Sequence, residues 1–152
     1  MTQKLILSDE TAVQDVLKLC PEIYQDVVIS GETVQKGRRS CQERGDIVVN
    51  CIEDGESVLD MGANFDYFGQ RVLSEKKDCC YLGIEREITF SFIAGKVMEV
   101  FEGGAVINGN LDYEMLKMLD DGCASFDAII LTSIIHHFPK DHLVEMCLIL
   151  DR

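Results

Sequence analysis

Hydrophobic positions along the chain change their period near residue 55. Upstream they recur at helical spacing. Ser8 and Asp9 predict a helix start, and Val13, Val16, Leu17 and Cys20 predict a helix running to about Cys20. Pro21 ends it and begins a short second helix expected over Glu22-Ile23-Tyr24-Gln25. Gly31 and Gly37 bracket an expected loop. A third helix is expected from Ser40 to Glu53 with Ile47, Val48 and Cys51 on one face, before Asp54-Gly55-Glu56 turns the chain.

Downstream, short apolar runs alternate with helical patterns. Strands are expected at Ser57–Asp60, Cys79–Ile84, Ala105–Ile107 and Phe126–Thr132. Helices are expected at Phe68–Lys76, Glu87–Val100, Leu111–Leu119 and Lys140–Leu150. Strands alternating with helices imply crossover connections and a parallel sheet. Ala128-Ile129-Ile130-Leu131 is apolar throughout, as in strands covered by helices on both faces. The expected fold is an α/β Rossmann-like parallel sheet of about four strands flanked by helices, with an N-terminal helical segment. No repeat or second domain is visible, so residues 1–152 are read as one domain with a change of character near residue 55.

Composition narrows this picture. Hydrophobic residues make up 47% of the chain, enough for a real core. No apolar run reaches the ~18 residues of a membrane span. The start, Met1-Thr2-Gln3-Lys4-Leu5-Ile6-Leu7, is too short and too soon acidic to read as a signal peptide. A formal charge of −13 repels phosphate backbones and argues against a nucleic-acid partner. The basic stretch of Lys36, Arg38, Arg39 and Arg44 is either a local anion site or a solvated turn and helix start. The seven cysteines lack CxxC or zinc spacing and suggest reduced thiols in a cytoplasmic protein. Cys79 and Cys80, neighbours on an expected strand, should point to opposite faces.

Open α/β sheets bind ligands beyond the carboxyl ends of their strands, where the strand order reverses. The strand-end residues here are Asp60 and Gly62, then Glu85, then Asn110 and Asp112, then Thr132 and Ser133. A glycine at the first turn lets backbone approach a ligand, and an acid ending the second strand suits ribose hydroxyls. A dinucleotide site needs G-x-G-x-x-G, but Asn64 and Tyr67 stand at its second and third glycines. No G-x-x-x-x-G-K-[ST] is present, which excludes a P-loop.

Val58-Leu59-Asp60-Met61-Gly62-Ala63-Asn64-Phe65-Asp66-Tyr67-Phe68 resembles motif I of class I S-adenosylmethionine-dependent methyltransferases. Leu82-Gly83-Ile84-Glu85 resembles the second motif of that family, Gly109-Asn110-Leu111 the third, and Phe126 to Phe138 the fourth strand and its loop. Pro21 to Gln25 and Cys41 to Arg44 are similar to the helical lead of bacterial O-antigen chain-terminating methyltransferase/kinase proteins. The resemblance implies S-adenosylmethionine as cofactor, with residues 1–54 as a helical lead and lid and 55–152 as the cofactor-binding core. It implies cofactor contacts from Tyr24, Arg44, Asp60, Gly62, Ala63, Asn64, Phe65, Tyr67, Glu85, Arg86, Asn110, Leu111, Thr132 and Ser133. An arginine fork such as Arg44 suits the cofactor's carboxylate. His136, after the fourth strand, is the candidate general base; the bland reading of His136 and His137 is that they shape a loop. No metal site is expected, because carboxylate or cysteine ligands at suitable spacing are missing beside the histidines.

Two departures qualify the resemblance. Asp66 stands where the motif carries glycine, and the chain is expected to be truncated, about three strands short of the full sheet. The fourth strand then becomes an apolar edge, and the last helix, with Leu143, Val144, Met146, Cys147, Leu148, Ile149 and Leu150, is apolar nearly all round. A second copy, a partner protein or the remainder of a longer chain is expected to cover this side. The reading is a methyltransferase, or its cofactor-binding half, acting on a small-molecule or glycan acceptor. The alternative is a non-catalytic, degenerate module with a binding, regulatory or assembly role.

Overall fold

A computed structural model describes the protein over residues 10–20, 22–110, 112–122, 125–132 and 134. In chain order the elements are α1 (Glu10–Leu17), β1 (Val27–Ile29), β2 (Glu32–Gln35), α2 (Gln42–Cys51), β3 (Ser57–Met61), α3 (Tyr67–Glu75), β4 (Cys80–Glu85), α4 (Ile88–Met98), β5 (Gly104–Asn108), α5 (Tyr113–Asp121) and β6 (Ala128–Ile130). The helix expected over 140–150 lies outside the described residues.

The strands β3 to β6 form a parallel sheet in the order β5-β4-β3-β6, flanked by helices, as the alternating pattern implies. Central β3 is buried along almost its whole length. Its side chains alternate between two cores. Val58 packs with Phe68 and Val72 of α3 and Tyr81 of β4, whereas Leu59 and Met61 pack with Ile84 and with Leu116 of α5. Asp127 fastens β6 to β3 by accepting from the Ser57 amide at 2.8 Å and the Ser57 hydroxyl at 2.7 Å. Among the described residues β6 is an edge of the sheet, as expected from its place in the strand order.

The lead differs from the sequence reading. Residues 22–25 form no helix, and the expected 31–37 loop belongs to an antiparallel hairpin, β1–β2. Ser30 and Gly31, both at positive φ (53° and 81°), make its two-residue turn, the primed geometry that tight hairpins require. Below the hairpin the carbonyls of Ile23 and Tyr24 accept from the amides of Arg38 and Arg39, so they are committed across the ladder and not to a helical turn. Gly37 permits this approach, since a Cβ there would collide with the backbone of Gln25.

α2 also buries a different face from the one its apolar residues suggest. Ile47 and Cys51 are exposed, while Gly45 and Val49 face inward. The reason is Tyr67, whose ring lies where a side chain at position 45 would stand. α1 buries Val13 and Leu17, and the turn after it Cys20, against Ile93 and Val97 of α4. Cys79 is buried and Cys80 exposed, the alternation a strand imposes.

Candidate cofactor site

The chain runs from β3 outward through β4 to β5, then returns to lay β6 on the other side of β3. The strand order therefore reverses at β3, and a crevice opens beyond the carboxyl ends of the strands at such a point. A cavity of about 520 Å³ occupies it. That volume is within the range of small-molecule and cofactor sites.

The floor is the loop after β3. Gly62 sits at φ 86°, a conformation that glycine adopts without strain, and its amide and that of Ala63 both donate to the carbonyl of Ile84. Asn64 (φ 55°) and Asp66 (φ 60°) are also left-handed, which Asn and Asp tolerate better than most residues. Asn64 lines the cavity, and its Oδ1 is buried without a hydrogen-bond partner among the described residues.

Glu85, at the end of β4, forms the adjoining wall. Its carboxylate is fixed by two backbone amides, Asn64 N–H to Oε2 at 2.9 Å and Glu87 N–H to Oε1 at 2.8 Å. Each oxygen retains lone-pair capacity for a ligand's donor. Glu87 and Asp112 also line the cavity, but their carboxylates cap α4 and α5, accepting from Thr89 and Phe90 and from Met115 respectively.

The lead supplies the roof. Arg44 of α2 lies 5.9 Å from the Phe68 ring centroid and donates to the Cys41 sulfur. Among the described residues no carboxylate pairs with its guanidinium, although it lines the cavity. Tyr24 lines it too, its hydroxyl accepting from Arg39 at 2.9 Å. The Gln25 Oε1 accepts from the Phe65 amide, tying roof to floor. Of the basic stretch, Arg38 pairs with Glu22 on the exposed surface, and Arg44 alone reaches the cavity.

Beneath the floor lie three buried groups. The Tyr81 hydroxyl stands 2.9 Å from Asp60 Oδ2 and 2.9 Å from Asp66 Oδ1, and both carboxyls are fully enclosed. Burial pushes the Asp60 carboxyl up to about 7, the Tyr81 hydrogen bond opposes this, and Glu85 adds to it. Burial and then the neighbouring Asp60 push Asp66 well above the usual carboxylate range. The Tyr81 phenol is raised by burial and by both acids.

Of the residues the sequence singled out, Tyr24, Arg44, Gly62, Asn64, Glu85, Arg86, Asn110 and Thr132 come together on this cavity. Asp60, Ala63, Phe65 and Tyr67 do not line it. Asp60 points into the interior toward Tyr81, Ala63 is enclosed, Phe65 packs against Phe90 with centroids 5.0 Å apart, and the Tyr67 hydroxyl accepts from Arg71. Leu111, Ser133 and His136 lie outside the described residues. Asp112, read as a strand-end residue, also lines the cavity, and the sequence reading did not include Gln25, Glu87, Phe90 and Ile134, which line it too. Glu87 was findable as a helix cap two residues past the strand end. Gln25 was hidden by the mistaken helix.

No protein-family model matches the chain, and no curated protein sequence does. Solved structures do. WbdD, described as a bifunctional kinase-methyltransferase, superposes with a TM-score of 0.61 at 18% identity over 82% of this chain and 29% of its own. EvdMO1 superposes with a TM-score of 0.66 at 15% identity, over 91% of this chain and 32% of its own. A candidate SAM-dependent methyltransferase from Streptococcus mutans gives 0.55 at 11% identity, over 74% and 32%.

The fold is that of the S-adenosylmethionine-dependent methyltransferases.

The chain spans about a third of the length of the solved chains it matches. SMU.776, a further match with a TM-score of 0.55 at 11% identity, was solved with SAH, the demethylated product of that cofactor. Among the described residues no helix of this fold is long and apolar enough to cross a membrane.

Proposed function

We propose that the cavity holds S-adenosylmethionine and that the chain is a methyltransferase, or the cofactor-binding half of one, acting on a small-molecule or glycan acceptor. The observation that carries this is the Glu85 carboxylate, held by two amides on a cavity wall at the point of strand reversal. Glu85 accepts from the ribose hydroxyls. Asn64 contributes to the wall beside Glu85, and Gly62 admits the ligand close to backbone. The unpaired Arg44 guanidinium, with Tyr24, receives the cofactor's carboxylate. Asn110 faces the adenine, with Arg86 and Thr132 on the rim. Leu111 and Ser133, which follow Asn110 and Thr132 in the sequence, are proposed as further cofactor contacts. Ala63, Phe65, Tyr67 and Asp60 serve by fixing the floor's shape.

When bound, the cofactor supplies a sulfonium methyl that leaves with bond formation to an oxygen or nitrogen lone pair, the C–S electrons staying on sulfur. The chain's own part is to bind, orient and exclude water, and proximity of this kind supplies much of a transfer rate. His136 is the proposed base that takes the acceptor's proton. The acidic surface, with a net charge of −13, favours an acceptor other than nucleic acid. A second copy or a partner protein is proposed to cover the β6 edge, and the cytoplasm is the proposed compartment, since described thiols such as Cys20 and Cys79 are buried and free.

Asp66 favours a second reading, a binding module without transfer activity, because it puts a buried acid where the resembling loops carry glycine. Calorimetry with S-adenosylmethionine and its demethylated product separates the two. The native chain is expected to bind both, and Glu85→Gln to bind roughly tenfold or more weakly while keeping its circular dichroism. No binding of either ligand sinks both readings. Binding without methyl transfer to any acceptor leaves the module.

A further inference from the structure

We propose that Asp60 and Asp66 share one proton through the Tyr81 hydroxyl, and that this protonated pair holds the loop at residues 62–66 in its ligand-ready shape, so that cofactor affinity falls as pH rises past neutrality. The second half rests on the cofactor reading above.

The geometry makes the argument. A phenol has one proton, yet Tyr81 Oη lies at hydrogen-bond distance, 2.9 Å, from a carboxyl oxygen on each side. It can donate to one of them only. The other contact is a hydrogen bond only if that carboxyl is itself protonated and donates to Oη. Two ionised carboxylates would leave one facing an oxygen lone pair, inside a site with no solvent contact. The far oxygens, Asp60 Oδ1 and Asp66 Oδ2, already lack partners among the described residues, so neither carboxyl has another donor to sustain its charge.

Among the described residues no cation is paired with either carboxyl. β4 contributes Tyr81 and Glu85, and Glu85 is acidic. β3 contributes Asp60 alone, and β6 faces it with Ile130. From α3 comes Tyr67, its hydroxyl bound to Arg71, and Arg71 is itself paired with Asp46 and Glu75. Among the described residues no lysine, arginine or histidine forms an ion pair with Asp60 or Asp66.

Asp66 is also a hinge of the floor. Its amide donates to the Ala63 carbonyl and its carbonyl accepts from the Gln70 amide, so it closes the turn and opens α3. Asn64, two residues earlier, holds Glu85 through its amide. Loss of the shared proton to solvent leaves two like charges joined by one phenol. The relief is outward movement of Asp66, which carries the Asn64 amide away from Glu85.

The experiment compares the native chain with Asp66→Asn, whose amide can donate to Oη but cannot titrate. Without ligand, the native melting temperature is expected to fall between about pH 6 and about pH 8.5, more than that of the variant. S-adenosylhomocysteine is expected to bind the native chain roughly tenfold more weakly at the higher pH and the variant about equally at both. Carboxyl-carbon NMR of the native chain, which needs no variant to fold, is expected to show one aspartate pair that still holds a proton far above the ordinary carboxylate range. Aspartates that all titrate near pH 4, or a variant that keeps the native slope, overturn the shared proton. Equal native affinity at both pH values overturns its link to the cofactor. Absence of ligand binding at every pH, with the melting slope and NMR titration intact, overturns the cofactor reading and the link while the shared proton stands.

Discussion

The carboxylate of Asp66 fills the space in which a side chain at Gly83 would stand, and a Cβ added to Gly83 would collide with Asp66 Oδ1. Gly83 also faces Asp60 across the β3–β4 ladder, so one glycine leaves room for both buried acids. The acid in the loop and the glycine in the strand belong to one arrangement.

Gly83→Ala is therefore expected to destabilise the fold by about 1–3 kcal/mol, because the buried Asp66 carboxyl must leave its bond with Tyr81 to make room. Asp66→Gly in the same chain should remove most of that loss. Urea unfolding of the two single variants and the double variant measures the coupling, and additive losses would show that the two residues are independent.

The buried acids set a pH dependence of stability with a definite sign. Burial holds the Asp60 carboxyl up to about 7 and Asp66 well above its usual range, while both titrate near about 4 in the unfolded chain. Between these values the native chain retains protons that the unfolded chain has released. Their contribution to stability is full below about pH 4 and is lost as pH rises through the folded range, at about 1.4 kcal/mol per pH unit for each proton that the native chain keeps and the unfolded chain has lost. Unfolding free energies at about pH 5 and about pH 7.5 should fall in that order. Asp66→Asn should shrink the difference, and an unchanged difference would place its origin elsewhere.

Gln70 is a buried clasp between lead and core. Its Oε1 accepts from the Val28 amide of β1 at 2.6 Å, and its Nε2 donates to the Phe65 carbonyl. Gln70→Ala would leave both backbone groups unsatisfied, each worth about 1–3 kcal/mol. The expected result is faster hydrogen exchange at Val28 together with lower global stability. Unchanged protection at Val28 would mean that the hairpin is held by other contacts.

How far the sequence disclosed all this depends on what each residue's neighbours are. The period changes near residue 55 revealed the parallel sheet, because central strands such as β3 must be apolar on both faces. Glu85 and Gly62 were legible because strand ends in this topology converge. The hairpin was missed although Val27-Val28-Ile29 and Ser30-Gly31 carry strand and turn signals, because the flanking helical reading of residues 22–25 absorbed them. The inward face of α2 was hidden by Gly45, whose role is set by a tyrosine more than 20 residues away. Asp66 was visible as a departure from glycine, but its bond to Tyr81 is a tertiary fact that no local pattern encodes.

Arg44 should act on one end of the ligand only. Arg44→Ala is expected to weaken S-adenosylhomocysteine about 10- to 100-fold, the scale of a charge-assisted hydrogen bond. It should leave methylthioadenosine, which lacks the amino-acid end, nearly unaffected. Equal losses for both would show that Arg44 shapes the cavity and does not hold the carboxylate.

Amide NMR mapping with S-adenosylhomocysteine tests the central claim most directly. Saturable shifts are expected at Gly62, Asn64, Glu85 and Asn110, around the strand reversal, with little change at Ser30 and Gly31 on the hairpin turn. No saturable shift, or shifts gathered away from those four residues, would contradict a cofactor site in this cavity.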